Sequence, residues 1–250
     1  MLQLKHIHKN FGGVTALKNC SFMVNTGKIT ALIGPNGAGK TTIFNVITGF
    51  TKQDSGELLF DEVKIDNDQP YRRSQLGIAR TFQTIRLFSK MTVMENLLLA
   101  MPDTHENVYQ ALFHSKKIKK QEKENEKKAF LWLHFVGLHS HANTLTSHLS
   151  YGQQKLLEIA RALSQEPKLL MLDEPAAGVN PTMLKKIKEL LLQLKKKGMT
   201  IFFIEHDMEF VMNLADTVIV LDYGEEIATG KPSMIKKNKK VIDAYLGGDQ

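Results

Sequence analysis

The stretch GPNGAGKTT, residues 34–42, combines glycines, a lysine and two threonines in an order suited to binding phosphate groups. It fits the pattern Gly, four residues, Gly-Lys-Thr, and lies between the apolar run ITALI and the helical pattern TIFNVITGF. Glycines let backbone N–H groups at the start of a helix surround phosphate oxygens, and the lysine adds positive charge. The threonine hydroxyl after the lysine can ligate Mg²⁺. The predicted phosphate-binding residues are Asn36, Gly37, Ala38, Gly39, Lys40, Thr41 and Thr42, with Thr41 also a metal ligand.

A second group of polar residues follows an apolar run much later in the chain. In LLMLDEP, residues 169–175, Asp173 and Glu174 end a run typical of a buried strand. A carboxylate there can hold Mg²⁺ through water, and its neighbour can take the proton of an attacking water. We therefore predict that Asp173 binds the metal and that Glu174 is the general base. Without the phosphate loop, such an acidic pair is more typical of a solvated turn.

His206 is a third candidate, because it follows the apolar run TIFFI at 200–204. A histidine there can donate a hydrogen bond to a γ-phosphate oxygen and so respond to its presence. For any single one of the nine histidines, a surface position is the simpler interpretation. The glutamine in RTFQ, Gln83, is weaker still as an isolated signal.

The stretch LSYGQQ, residues 149–154, predicts the start of a helix. Ser150 and Gln153 have the spacing of a capping box, in which the hydroxyl accepts from an amide and the glutamine reaches back. The apolar residues that supply the buried face of this helix are Leu156, Ile159, Ala160 and Leu163.

The apolar pattern of the whole chain predicts an α/β fold. Loose alternation from Leu2 to Phe22 and in GELLFDEVKI, 56–65, is typical of an antiparallel sheet. Near-continuous apolar runs alternate with helical patterns, which predicts parallel strands buried on both faces with ligands at their carboxyl ends. These runs are KITALIG (28–34), KLLMLDE (168–174), TIFFIEH (200–206) and TVIVLDYG (217–224).

The stretch 91–149 contains no such run and has helical patterns instead. They are TVMENLLLAM, a charged amphipathic stretch to about Lys128, and AFLWLHFVGL. We therefore expect one domain, 1–250, in which 1–90 and 150–250 form the α/β core with its antiparallel part. The segment 91–149 is expected to be an inserted helical subdomain.

Composition is typical of a folded, soluble protein, with 42% hydrophobic and 24% charged residues. One cysteine, Cys20, suits a reducing cytoplasm, and the N-terminus has no apolar segment typical of an export signal. No apolar run approaches the ~20 residues that span a bilayer, so any membrane role is expected to be peripheral. Much of the net charge of +7 lies in short lysine runs, which are more typical of solvated helix faces than of a nucleic-acid groove.

The order of these motifs resembles the nucleotide-binding subunit of an ATP-binding cassette (ABC) transporter along essentially the full chain. The motifs are the phosphate loop, Gln83, LSYGQQ, the strand with Asp173 and Glu174, AAGVNP (176–181), and His206. The resemblance implies a P-loop ATPase fold that binds ATP and Mg²⁺. It also implies that Phe11, with Val14 and Ala16 close by, stacks near the adenine ring. The roles implied for the remaining residues are catalysis and metal binding for Gln83, and nucleotide contacts for Ser150, Gly152 and Gln153.

Within this superfamily, four further stretches resemble the ATP-binding subunit of high-affinity branched-chain amino acid importers. They are residues 77–98, LDEPAAGVNP (172–181), IEHDMEFVM (204–212) and VIDAYLGG (241–248). Urea or amide importers and lipopolysaccharide-export ATPases are similar enough to remain alternatives. Two residues depart from the commonest superfamily pattern: Tyr151 stands where glycine is usual, and Asn180 where aspartate is usual. Both variants resemble the amino acid importer branch.

The resemblance also implies partners and a location. We expect two membrane permeases, a second ATP-binding subunit that is either a copy or a paralogue, and indirectly a periplasmic-type solute-binding protein. The chain would lie at the cytoplasmic face of the inner cell membrane, and a coupling helix of each permease would dock near Arg86, Leu87 and Phe88. Two other classes compete with this interpretation: an ABC ATPase acting on nucleic acid or ribosomes, and a regulatory module without turnover. Neither is favoured, and nucleic acid is not expected as a partner.

Overall fold

The computed structural model describes residues 1–101 and 115–246 of the 250-residue chain. They form two compact units. The first contains the described residues of 1–83, 168–177 and 184–250, and the second those of 84–167 and 178–183. Both units are therefore discontinuous in sequence. The division predicted above, with a helical subdomain at 91–149, remains a prediction about folding units.

The strands of the described residues form two sheets in the first unit. In chain order they are β1 (Leu2–Phe11), β2 (Val14–Val24), β3 (Ile29–Ile33), β4 (Ser55–Phe60), β5 (Val63–Lys64), β6 (Ile78–Arg80), β7 (Leu169–Asp173), β8 (Thr200–Ile204), β9 (Thr217–Asp222) and β10 (Glu225–Gly230). The antiparallel sheet has the order β2-β1-β4-β5, and the other sheet has the order β10-β9-β3-β8-β7-β6. Strands β9, β3, β8, β7 and β6 pair in parallel, and β10 adds an antiparallel edge.

The helices of the described residues follow the same chain order. They are α1 (Lys40–Thr48), α2 (Pro70–Gln75), α3 (Val93–Leu98), α4 (Ser115–Val136), α5 (Tyr151–Leu163), α6 (Pro181–Lys196), α7 (Met208–Leu214), α8 (Pro232–Ile235) and α9 (Lys239–Leu246). Short 3₁₀ turns lie at His139–His141 and Thr146–His148. No helix of the described residues is long and apolar enough to cross a membrane.

The core of the first unit joins the two sheets and α1. Every residue of β3, β7 and β8 is buried, as expected for parallel strands covered on both faces. The ring of Phe202 on β8 contacts Phe44 of α1 at 5.0 Å and Phe22 of β2 at 5.9 Å between centroids. Burying such large rings stabilises the packing of the three elements on one another. The carboxyl ends of β3, β7 and β8 are thereby fixed at one edge of the sheet.

The second unit is helical in its described part, where α3, α4 and α5 pack on one another. The two patterns predicted around Lys128 are one continuous helix, because Ala129, Leu133 and Val136 recur at helical spacing and are buried. Residues 102–114, on which part of the charged stretch falls, lie outside the described residues. The capping boxes of α3 and α5 fix where these two helices begin.

Candidate active site

The phosphate loop connects β3 to α1 and depends on glycine at its last position. Gly39 is the N-cap of α1, with φ of 98°, and its carbonyl accepts the first helical hydrogen bond from Ile43 at 3.0 Å. A Cβ at this position would lie 2.6 Å from the carbonyl oxygen of Ala16. Only glycine combines this φ with so close an approach. The free N–H groups at the start of α1 are consequently available to an anion.

Lys40, the first residue of α1, is 7% exposed, and its ammonium lies within the loop. Its Nζ donates to the carbonyls of Gly34 at 2.7 Å and Pro35 at 2.8 Å. Burial lowers the pKa of Lys40, and the nearby carboxylates of Glu174 and Asp173 oppose this effect. The lysine therefore places a cation beside the loop amides, as phosphate binding requires.

Glu174, Gln83 and His206 come from three separate segments and meet through hydrogen bonds. Gln83 Nε2 donates to Glu174 Oε2 at 3.0 Å, and His206 Nε2 donates to Oε1 at 2.6 Å. The Glu174 backbone has a left-handed φ of 51°, and its N–H donates to the Ile204 carbonyl at 3.0 Å. Such a conformation costs free energy in a residue with a side chain and is found where function requires it. The structure thus brings together all three residues predicted to be catalytic.

These three residues and the phosphate loop share one cleft of the first unit. Ala16 also lines it, two residues after Val14. The lining residues are Ala16, Asn36, Gly37, Ala38, Gly39, Lys40, Thr41, Thr42, Gln83, Glu174 and His206. Phe11 and Val14 lie in the β1–β2 hairpin and are 48% and 69% exposed, so neither side chain is committed to the core. An apolar ring with this exposure can stack on a purine.

Asp173 differs from the other predicted site residues because its carboxylate is buried in an ion pair. Oδ2 accepts from Arg80 Nη2 at 2.8 Å, and both side chains are 5% exposed. Arg80 Nη1 also donates to Asn45 Oδ1 at 2.7 Å, which ties the end of β6 to α1. Arg80 is not among the site residues predicted from the sequence. The pattern that points to it is a positive charge at the end of the short apolar run IA, immediately before TFQ.

The other predicted nucleotide contacts, Ser150, Gly152 and Gln153, belong to the second unit. The capping box is confirmed: Ser150 N–H donates to Gln153 Oε1 at 2.8 Å, and Gln153 N–H donates to Ser150 Oγ at 3.4 Å. Gln153 Nε2 donates further to His141 Nε2 at 2.8 Å, so the glutamine amide is held on both sides. The first turn of α5 therefore begins at a fixed residue with its N–H groups oriented.

Tyr151 and Asn180, the two departures from the usual pattern, have structural roles in the second unit. The ring of Tyr151 lies against Gly178, where an added Cβ would come within 3.0 Å of Cε1. Asn180 Oδ1 accepts the N–H of Met183 at 2.8 Å, in the first turn of α6. Met183 in turn fills the space beside Gly152. Residues 178–183 and the start of α5 are thus packed together within the second unit.

Comparison with known proteins shows the family to which the chain belongs. The family model described as ABC transporter matches residues 17–177. The high-affinity branched-chain amino acid transport ATP-binding protein LivG of Escherichia coli is 41% identical over 249 residues, which cover 99% of this chain and 98% of that protein. The chain belongs to the ABC transporter family. It is an ABC-type ATP-binding subunit that binds nucleotide and hydrolyses ATP in a reaction coupled to transport.

Other relatives of this ABC ATPase extend over the same length. BraF of Pseudomonas aeruginosa, a high-affinity branched-chain amino acid transport ATP-binding protein, is 39% identical and covers 99% of this chain and 98% of its own. The crystal structure of the ADP conformation of MJ1267, an ATP-binding cassette of an ABC transporter, matches with a TM-score of 0.87 and 41% identity. The match covers 99% of this chain and 98% of the MJ1267 chain. The predicted fold, an α/β P-loop ATPase with an N-terminal antiparallel sheet, is confirmed.

Proposed function

We propose that this ABC ATPase powers the uptake of branched-chain amino acids through two separate membrane permeases. The names of the relatives described above support this cargo. A second family model, described as branched-chain amino acid ATP-binding cassette transporter, matches residues 225–250 and supports it independently of the ATPase motifs. The solute itself would be selected by the permeases and by a periplasmic-type binding protein, so the chain would act peripherally at the cytoplasmic face of the inner membrane.

The hydrolytic roles rest on one observation, the Glu174 carboxylate held between Gln83 and His206 beside the phosphate loop. In this position the Glu174 carboxylate would accept the proton of a water that attacks the γ-phosphorus. Nε2 of His206 can donate to a γ-phosphate oxygen instead of to Glu174. Lys40 would neutralise charge on the phosphates from the other side.

The chain also offers a place for Mg²⁺. The described residues contain no cluster of three or more His, Cys, Asp or Glu side chains that could hold a metal ion. Magnesium at a nucleotide usually takes one or two protein ligands, with phosphate oxygens and waters completing the shell. Thr41 and Gln83 line the cleft, and their side-chain oxygens fit this need. Asp173 does not line the cleft, and its Oδ2 is paired with Arg80, so a role for it at the ion, through water, would depend on Oδ1. When bound, the ion would neutralise charge on the phosphate oxygens.

A second ATP-binding subunit, a copy or a paralogue, would complete the site. LSYGQ presents oriented N–H groups at the start of α5, and a helix N-terminus attracts anions. We infer that this N-terminus, with Ser150, Gly152 and Gln153, contacts the γ-phosphate of ATP bound to the phosphate loop of the partner. A dimeric structure of MJ0796, a bacterial ABC transporter cassette, supports this; it matches with a TM-score of 0.78 and 27% identity over 93% of this chain and 99% of its own.

Reconstitution tests the cargo directly. The chain would be assembled with the permeases and binding protein of its own genome in liposomes that contain ATP. Leucine, isoleucine and valine should accumulate, and Glu174→Gln in the same assembly should abolish uptake. Accumulation of urea or amides instead would assign another solute. Extraction of lipopolysaccharide from the membrane would assign an export function. ATP hydrolysis stimulated by nucleic acid at low salt, without uptake of any amino acid, would contradict the transport role.

A further inference from the structure

Glu205 is a buried acid that the proposed chemistry does not use. It lies between Ile204, the last residue of β8, and His206, and it is 3% exposed. Glutamate is almost never buried so completely unless its carboxylate is well bonded. The exposed acids of this chain can ion-pair with lysines, as Glu57 does with Lys64 at 2.9 Å. Glu205 has a different set of partners.

The carboxylate of Glu205 accepts hydrogen bonds from backbone N–H groups of two loops. Oε1 accepts from Ala176 at 2.5 Å, and Oε2 accepts from His206 at 3.1 Å. The N–H of Asp207 adds a further interaction. Burial raises the pKa of Glu205, whereas these amide donors oppose the rise. One side chain therefore links the loop after β7 to the loop after β8.

The hydrogen bonds of this link hold the backbone at and just after the strained residue Glu174. The N–H of Glu174 is bonded to the Ile204 carbonyl, and the N–H of Ala176, two residues later, is bonded to Glu205. A left-handed φ at a glutamate persists only where neighbouring contacts hold it. The same Glu205 carboxylate fixes the backbone of His206, whose ring meets Glu174 at 2.6 Å.

We propose that Glu205 is a positioning residue for ATP hydrolysis. Its carboxylate accepts hydrogen bonds from the backbone amides of Ala176 and His206 at once, and it thereby holds Glu174 and His206 in position relative to each other. The inference rests on the proposed roles of Glu174 and His206. A carboxylate is required because it accepts at both oxygens. A glutamine would turn an NH₂ group toward one of the two N–H donors, and an aspartate is one methylene too short to reach both loops.

The test compares three variants with the parent by steady-state kinetics and nucleotide titration. Glu205→Gln and Glu205→Asp should each lower kcat about tenfold, because a small displacement of reacting groups has an effect of this order or greater. KM and Kd for ATP should stay within about twofold of the parent values, since the phosphate loop is untouched. Glu209→Gln, an exposed glutamate in the first turn of α7, is the matched control and should change neither.

A double-mutant cycle separates positioning from general destabilisation. Because Glu205 is proposed to act through both Glu174 and His206, Glu205→Gln should lower kcat by a smaller factor in a His206→Ala or a Glu174→Gln background than in the parent. Amide hydrogen exchange gives an independent readout: Ala176 should exchange faster in both Glu205 variants while the β8 amides keep their protection. If Glu205→Gln does not bind nucleotide, Glu205→Asp carries the same comparison.

The outcomes distinguish this inference from the proposed function. Parental kcat in the Glu205 variants, or an equal fold loss of kcat in the parent, His206→Ala and Glu174→Gln backgrounds, overturns the positioning role while leaving the roles of Glu174 and His206 intact. Parental kcat in Glu174→Gln or His206→Ala overturns the proposed hydrolytic roles, and the inference about Glu205 with them.

Discussion

Glu174 is the residue whose loss should affect turnover most. Glu174→Gln keeps the shape and one accepting oxygen, but an amide cannot take a proton from water at neutral pH. General-base catalysis contributes about 10²–10⁴-fold, so kcat should fall by at least about a hundredfold while Kd for ATP stays near its parent value. Glu189→Gln on the exposed side of α6 is the matched control. Hydrolysis at the parent rate by Glu174→Gln, measured by phosphate release, would refute the base assignment.

Substitution of Gly39 should weaken ATP binding through a local change in the phosphate loop. Gly39→Ala must adopt a φ of 98° and also place its Cβ 2.6 Å from the Ala16 carbonyl oxygen. The conformation alone costs about 1–2 kcal/mol, and the overlap must shift the loop. We therefore expect ATP affinity to fall at least about tenfold, measured by calorimetric titration.

Gly198 offers a control for conformational strain without overlap. Its φ is 86°, and an added Cβ has no heavy atom within 4 Å. Gly198→Ala should lower the free energy of unfolding by about 1 kcal/mol and leave ATP affinity unchanged. Equal losses of ATP affinity in both variants would show that the close approach at Gly39 is unimportant.

At the scale of elements, the contact between Tyr151 and Gly178 joins the start of α5 to the loop before α6. Gly178→Ala would overlap the Tyr151 ring at 3.0 Å, and it would also be strained by a φ of 73°. Removing the ring with Tyr151→Ala should relieve the overlap but not the strain. We expect Gly178→Ala to cost about 1 kcal/mol less in the Tyr151→Ala background, measured by urea unfolding. Additive losses would mean that the two residues are energetically independent.

Helix α5 also carries a buried acid, Glu158, whose ionisation should make stability depend on pH. Its Oε1 accepts the N–H of Arg86 at 3.0 Å, whereas Oε2 is buried with no hydrogen-bond partner. Burial raises the pKa of Glu158 above its ordinary value of 4.5, although the Arg86 amide and nearby cations oppose the rise. Just above pH 4.5 the folded form therefore binds more protons than the unfolded form at this residue. Its contribution to stability is fully present below the unfolded pKa and is lost as pH rises through the folded pKa.

Glu158→Gln isolates this effect. The stability of the parent relative to Glu158→Gln should decrease as pH rises from about 4 to the folded pKa, and it should then level off. Urea unfolding at a series of pH values measures the difference. A difference that is constant with pH, or that increases, would contradict the raised pKa.

At the scale of the whole molecule, ATP should control association. If ATP is bound between the phosphate loop of one chain and LSYGQ of another, a slow variant such as Glu174→Gln should dimerise with ATP and remain monomeric with ADP. Ser150→Glu, added to it, places a negative charge against the γ-phosphate and should prevent dimerisation. Ser150 is exposed, so the single chain should still bind ATP. Light scattering measures the mass; a dimer of the Ser150→Glu double variant would contradict the shared site.

Much of the fold followed from residue patterns. Seven strands were predicted from their apolar patterns, because burial on both faces gives a continuous apolar run and burial on one face gives alternation. The continuous runs belong to β3, β7, β8 and β9, and the alternation belongs to β1, β2 and β4. Strands β6 and β10 were missed. β6 has only three residues, and β10 is an edge strand whose side chains are mostly half-buried, so neither has a strong pattern.

The chemistry of the phosphate loop and the class of the fold are evident in the sequence alone, because both depend on local spacing: glycines before a helix, and apolar residues at the period of each element. Which distant residues act together depends on the tertiary fold. Gln83, Glu174 and His206 meet because three parallel strands end at one edge of a sheet, and no local pattern encodes that contact. Arg80 and Glu205 escaped notice for the same reason. From sequence alone, a charged residue next to a strand is expected to be exposed to solvent. The role of Arg80 depends on its burial against Asp173, and the role of Glu205 depends on its burial against backbone amides.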